Sequence, residues 1–365
     1  MNSVLVSSNN PQCGIADYSR FLRKALEDAG LKITFISLDQ CKTTVDFINL
    51  AKRLKSVDLV HIQHEWAFFH KNLLWSALNS WLFMHQIKAP LVVTMHELMP
   101  SAKGGLFYKL ACRLLYYAQR FVFSQADILI THSAQAASFF EGAGINKERI
   151  RVMVHPVPEE QIMPLDNDSA QQILEAGDTR EVITIFGFVT ARKHYSLVLE
   201  AIKDLNNCVL LIAGGPHPND KTGYFECLKN EINRLGLASK VKLYGYVPQA
   251  EISHIMSLSK ILLVPINDSL GSGSFSFAVA YAKPVIAMDT DYFKNLKEQG
   301  FGIELFGYRD GRDLSKKITA LLNNPQRREE LSILMRRAAQ QYSYSKTAQA
   351  TCQIYRNAVG GRTAE

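Results

Sequence analysis

The residues best suited to chemistry in this chain of 365 residues sit at the ends of short apolar runs. From Val264 to Asp289 the sequence reads VPINDSLGSGSFSFAVAYAKPVIAMD: an apolar run, a Gly/Ser-rich loop, an apolar helical segment, and a second run introduced by Lys283-Pro284. A glycine-rich turn feeding a helix offers free backbone N–H groups and the positive end of a dipole to an anion. Gly271, Ser272, Gly273 and Ser274 therefore predict a phosphate-bearing ligand. Three upstream runs, ITIFGFVTARKH (Ile183 to His194), LLIAGG (Leu210 to Gly215) and VKLYGYVP (Val241 to Pro248), also end in Gly or basic residues. In an open parallel sheet ligands bind outside the carboxyl ends of strands, so Gly187, Gly215 and Gly245 are expected to converge on the same ligand. Lys193 falls at a helix start, where a cation opposes the dipole unless an anion sits nearby.

The first half carries a second set. Asn9-Asn10-Pro11-Gln12-Cys13-Gly14 follows the first apolar run, His61-Ile62-Gln63-His64-Glu65-Trp66 another, and Thr94-Met95-His96-Glu97 a third. A polar side chain at a strand end is better placed for a ligand than one on a helix face, which singles out His64, Glu65 and His96. His132-Ser133 is a weaker signal, because Ser133 would equally serve as a helix cap.

These residues need a scaffold of alternating strands and helices. Strands are expected at Ser3 to Ser8, Ile33 to Leu38, Leu59 to Gln63, Leu91 to Met95, Ile128 to Thr131 and Ile150 to Val154, with an amphipathic helix from Asp17 to Ala29 closed by Gly30. That pattern implies βαβ units and parallel sheets. With 47% hydrophobic residues the chain can bury two cores. The polar stretch Pro158 to Arg180 is the expected linker, which gives an α/β protein with domains 1–165 and 166–341. Six scattered cysteines without CxxC spacing predict neither a zinc site nor a disulfide framework. With no secretory leader and no apolar run long enough to span a bilayer, the expected location is cytoplasmic, with access to the inner face of a membrane. Net charge is +7, and SAKGGLFYKLACRLLYYAQRFVFSQ (Ser101 to Gln125) interleaves Lys103, Lys109, Arg113 and Arg120 with Phe107, Tyr108, Leu114, Leu115, Tyr116 and Tyr117. At helical spacing this suits an anionic membrane surface, or equally a core-packing helix with a solvated basic face. No nucleic-acid motif is present, so no nucleic-acid partner is expected.

In order and spacing these segments resemble the family 4 retaining glycosyltransferases of the GT-B fold, the glycosyl transferases group 1, over nearly the whole chain. The resemblance implies two Rossmann-like doubly wound domains facing a central cleft, with the final helix, 342–359, packing back on the first domain. It implies a nucleotide diphosphate sugar as donor, and as acceptor a saccharide or lipid-linked saccharide in cell-envelope or surface polysaccharide synthesis. By the same resemblance Lys193 neutralises the donor diphosphate and His96 hydrogen-bonds the transferred sugar. Gly14 approaches donor phosphates or acceptor, and Gly245, Tyr246 and Val247 lie beside the nucleotide base. Chemistry in this family is usually described as front-face displacement, in which the donor phosphate accepts the acceptor's proton, so no cofactor and no metal are expected. Two departures stand out. The Arg that follows the family's glycine is Phe188 here, with Arg192 as the nearest replacement, and the two glutamates before Gly-x-Pro-Val fall at Ser269 and Phe277. A GT-B protein that binds without catalysis, or a nucleotide-sugar epimerase, remain the alternatives. Some branches of the family use a Ser-Gly-Ser loop at this place, which favours a working enzyme.

Overall fold

The computed structural model describes residues 1–98, 106–159, 179–216, 220, 222–267 and 271–363. The chain divides into two compact units, Met1–Pro156 with Tyr342–Glu365, and Val157–Gln341. The expected junction at 165/166 lies outside the described residues.

The first unit is built on six parallel strands: β1 (Asn2–Ser7), β2 (Lys32–Ser37), β3 (Leu59–His64), β4 (Leu91–Met95), β5 (Ile128–Thr131) and β6 (Ile150–Val152). Their spatial order is β2-β1-β3-β4-β5-β6. Strands covered on both faces read as continuous apolar runs, as LVV and ILI do here. β3 breaks that rule: all six residues of LVHIQH are buried, three of them polar. Period-two alternation divides them, with His61 and Gln63 on the face of Leu59, and His64 on the face of Val60 and Ile62.

The Leu59 face is closed by two helices. Tyr18, Leu22 and Leu26 of the Gly14–Asp28 helix share one core with Tyr344, Ala348, Cys352 and Tyr355 of the final helix, Tyr344–Thr363. The last segment of the chain thus belongs to the first unit, as the contact between these two helices requires. The Gly14–Asp28 helix starts three residues earlier than the sequence reading placed it.

The second unit carries β7 (Glu181–Phe186), β8 (Cys208–Ala213), β9 (Val241–Leu243), β10 (Ser259–Val264), β11 (Val285–Met288) and β12 (Ile303–Phe306) in the order β12-β11-β10-β7-β8-β9, again all parallel. Strand order reverses between β7 and β10. In the first unit it reverses between β1 and β3. At such a switch point the connections leave in opposite directions and a crevice opens at the carboxyl ends.

Candidate functional site

In the second unit, the switch point brings together Lys193, Gly187 and Ser274. Lys193 follows β7, is 7% exposed, and donates from Nζ to the carbonyl oxygens of Phe186 and Gly187, both at 2.6 Å. Burial, with help from the Arg192 charge, pulls its ammonium down to about 7. Gly187 has φ +87°, and a Cβ placed on it would lie 2.5 Å from Ser274 Oγ and 3.3 Å from Lys193 Nζ. Phe186, Lys193, Val264 and Ser274 line one small pocket at this end of the sheet. A buried cation whose partners among the described residues are two carbonyl oxygens fits an anion better than it fits an empty core.

The loop after β10 divides its tasks. Ser272 is structural: its Oγ caps the Gly273–Ala280 helix by accepting from Phe275 N at 3.2 Å. Ser274 faces Gly187 and the lysine. Gly273 is exposed, has no positive φ, and a Cβ on it would meet nothing within 4 Å. Its backbone therefore does not need glycine. Gly271 is half-buried beside this loop. Phe277, in the apolar helical segment where the family has its second glutamate, is half-buried with its ring edge-on to Phe186 at 5.5 Å. Ser269 lies outside the described residues.

Tight backbone packing fixes the neighbouring strand ends. A Cβ on Gly214 would come within 2.2 Å of Gly187 O, and one on Gly215 within 3.1 Å of Tyr246 N. Gly245 takes φ +89°, which turns the chain so that Val247 is buried while Tyr246 is half exposed and its ring lies 6.2 Å from Phe188. Arg192 is exposed at the start of the same connection as Lys193.

In the first unit, the carboxyl ends of β4 to β6 carry a cluster of imidazoles, His132 buried and His96 and His155 half-buried. The ring of His132 stands 5.3 Å from that of His96 and 5.2 Å from that of His155, and Tyr18 packs on all three at 4.7–5.5 Å. Burial depresses them all: His132 to about 4, His155 to about 3, and His96 well below its ordinary value, with the neighbouring imidazoles adding to the effect on His96 and His155. They are neutral at physiological pH. His132 Nδ1 donates to Met153 O at 2.9 Å, leaving a buried Nε2 with no partner among the described residues. Ser133 is a helix cap, accepting from Ala136 N at 3.1 Å.

His96 is half-buried, and its Nε2 meets Gln63 Oε1 at 2.8 Å. An amide oxygen only accepts, so Nε2 carries the proton and Nδ1 is bare. His96 can thus accept one hydrogen bond from a hydroxyl. Glu65, at the end of β3, is half-buried and its carboxyl is pushed up to about 7 by burial and by the charge of Glu97. Gly14 opens the first helix, and a Cβ there would meet nothing within 4 Å. Neither conformation nor packing demands glycine at that position.

His64 is not part of this assembly. It is fully buried on the other face of β3, with Nε2 2.8 Å from Ser80 Oγ and its ring among Trp66, Phe69 and Phe123. The one-residue step from Gln63 reverses the face, so His64 is a core residue rather than a ligand contact. His61, Gln63, His155, Tyr18 and Tyr355 were not assigned roles from the sequence. Polar residues at alternate positions of an otherwise apolar strand were the available signal for the first two. Nothing local marks Tyr355, which comes from the far end of the chain.

Comparison with known proteins places this geometry. Sucrose-phosphate synthase from Thermosynechococcus elongatus superposes with a TM-score of 0.80 at 16% identity, covering 99% of this chain and all of that one. Anabaena Alr3699/HepE in complex with UDP and glucose gives 0.76 at 15% identity, covering 97% and 99%. Among curated relatives, a D-inositol 3-phosphate glycosyltransferase from Kineococcus radiotolerans is 24% identical over 331 residues, 84% of this chain and 74% of that protein. Two doubly wound halves of this order define the GT-B glycosyltransferase class. Residues 166–338 match the glycosyl transferases group 1 and residues 36–154 the glycosyl transferase 4-like domain, so the two halves carry one glycosyltransferase domain each.

Proposed function

We propose that the protein transfers a sugar, with retention of anomeric configuration, from a nucleotide diphosphate sugar to a saccharide or lipid-linked saccharide acceptor in surface polysaccharide synthesis. The observation that carries this reading is Lys193, buried at the β7/β10 switch point beside Gly187 and Ser274. There it neutralises the diphosphate as the glycosidic bond breaks, assisted by Ser274 Oγ and the backbone N–H groups of the Gly273–Ala280 helix start. Tyr246 and Phe188 offer aromatic surface to the base. His96 accepts a hydroxyl of the transferred sugar on its bare Nδ1. The donor phosphate takes the acceptor's proton, so the missing glutamates are not needed as nucleophile or base, and Arg192 supplies the second positive charge in place of the family's arginine. UDP and UDP-glucose complexes of structural neighbours support a donor of this class.

The acceptor side points to lipid. Seven of the thirteen large apolar side chains exposed among the described residues lie on two adjacent helices: Leu74, Trp75 and Leu78 on Leu73–Gln86, and Leu110, Leu114, Tyr117 and Phe121 on Leu106–Phe123. Residues 66–126 hold six Lys or Arg and a single acidic residue, Glu97. An apolar strip within a segment of one sign of charge fits an anionic bilayer better than it fits a second copy of itself. The strip differs from the sequence expectation, because Tyr116 turns inward to donate to Phe139 O at 3.2 Å. Lys103 lies outside the described residues, as do the side chains of Phe107, Tyr108, Lys109 and Leu115.

The test is turnover. Purified protein with UDP-, GDP- and dTDP-sugars and extracts of lipid-linked saccharide should release nucleoside diphosphate, and NMR of the product should show the donor's anomeric configuration. Inverted product would overturn the retaining assignment.

A further inference from the structure

We infer that Tyr355, on the final helix, is a positioning residue that decides, through His61 and Gln63, which nitrogen of His96 carries the proton. Four side chains form one hydrogen-bonded line, the first three of them buried. Tyr355 Oη lies 2.7 Å from His61 Nδ1, His61 Nε2 lies 3.1 Å from Gln63 Nε2, and Gln63 Oε1 lies 2.8 Å from His96 Nε2. Tyr355, His61 and Gln63 are at most 1% exposed, and Thr94 Oγ1, also buried, completes the line at 2.7 Å from His61 Nε2.

The direction of every bond in this line follows from the middle. An amide nitrogen only donates, so His61 Nε2 accepts and its proton sits on Nδ1, facing Tyr355. The amide oxygen only accepts, so His96 keeps its proton on Nε2 and leaves Nδ1 bare. The threonine hydroxyl rotates to suit either state, and so fixes neither.

Removing the phenolic oxygen changes the preferred state at the far end. With phenylalanine at 355, a proton on His61 Nδ1 would be an orphaned buried N–H, which is rarer and costlier than an unpaired acceptor. The proton then moves to His61 Nε2, the Gln63 amide turns over to accept it, and the amide N–H₂ now faces His96. His96 must shift its own proton from Nε2 to Nδ1. Toward the substrate it becomes a donor where it had been an acceptor. The final helix thus specifies the hydrogen-bond polarity of the site from a ring with no ligand contact of its own.

This rests on the reading of His96 as the contact to the transferred sugar, and the experiment separates the two. Nitrogen shifts of ¹⁵N-histidine-labelled full-length protein report the tautomer of each ring without turnover. Wild type should show His96 with a pyridine-like Nδ1, and Tyr355→Phe should show a pyrrole-like one. Tyr355→Phe should also lower kcat at least tenfold with a smaller change in donor KM. Adding Gln63→Glu to Tyr355→Phe should restore both, because a carboxylate accepts from both imidazoles and returns the His96 proton to Nε2. A wild-type spectrum with the proton on His96 Nδ1, or unchanged His96 shifts in Tyr355→Phe, would overturn the inference. If Tyr355→Phe does not fold, the wild-type spectrum decides alone. A His96→Ala variant with normal turnover would instead remove the sugar contact and leave the relay standing.

Discussion

Lys193 combines burial, two carbonyl acceptors and a pKa near neutrality, and its behaviour with pH follows from that combination. Its folded value of about 7 lies below the unfolded value of ~10.4. The folded state therefore holds fewer protons than the unfolded state between those limits, so stability is lowest below pH 7 and rises toward pH 10. Thermal unfolding without ligand should show that rise in wild type and a weaker one in Lys193→Met. A nucleoside diphosphate has the opposite preference, because it binds the ammonium. Its affinity by calorimetry should fall by up to about tenfold per pH unit above 7, until the pKa of the complex is reached. Affinity independent of pH from 6 to 9 would remove Lys193 from the phosphate site. Lys193→Ala should reduce turnover by roughly a hundredfold or more, about 3 kcal/mol of transition-state stabilisation.

At the scale of elements, two glycines of the second unit make contrasting predictions. Gly187 needs its positive φ, and a Cβ there would strike Ser274 Oγ. Gly187→Ala should destabilise the fold by an amount of order 1–3 kcal/mol as well as weaken donor binding. Gly273 starts a helix in open space, so Gly273→Val should leave the melting temperature within a few degrees while excluding the donor phosphate. Normal nucleotide binding by Gly273→Val would show that the helix start is not the phosphate seat. Restoring the family carboxylate by Phe277→Glu loses an edge-on ring contact with Phe186 worth about 0.5–1.5 kcal/mol and is not expected to raise activity.

For the whole molecule the exposed strip on the Leu73–Gln86 and Leu106–Phe123 helices makes the prediction. Among the described residues no helix is long and apolar enough to cross a membrane, so any attachment through this strip is peripheral. Wild-type protein should float with anionic vesicles at low salt and less so as salt rises. Arg113→Gln with Arg120→Gln should each remove about 1 kcal/mol of lipid attraction. Leu114→Ser with Phe121→Ser should abolish flotation at every salt concentration, since these side chains would enter the interface. Flotation that survives the apolar pair would leave the strip without a lipid role.

The alternation of apolar runs with helical segments determined the two parallel sheets, because a strand covered on both faces has little choice of composition. The nearness of Lys193, Gly187 and Ser274 at strand ends was also legible, since residues just after neighbouring parallel strands come together at one edge of the sheet. Which face a strand residue takes was not. His64 and Gln63 are neighbours of similar polarity, yet one belongs to the core and the other to a hydrogen-bonded line, because register within the sheet sends alternate residues to opposite faces. The separate duties of Ser272 and Ser274 depend likewise on where the helix begins. Tyr355 stands 294 residues from its partner His61 in the chain, and only the folding back of the final helix brings them within 2.7 Å. Local composition decides elements and their chemistry, while pairings of high sequence separation, which set the tautomers and the bare nitrogen of His96, are decided by tertiary packing alone.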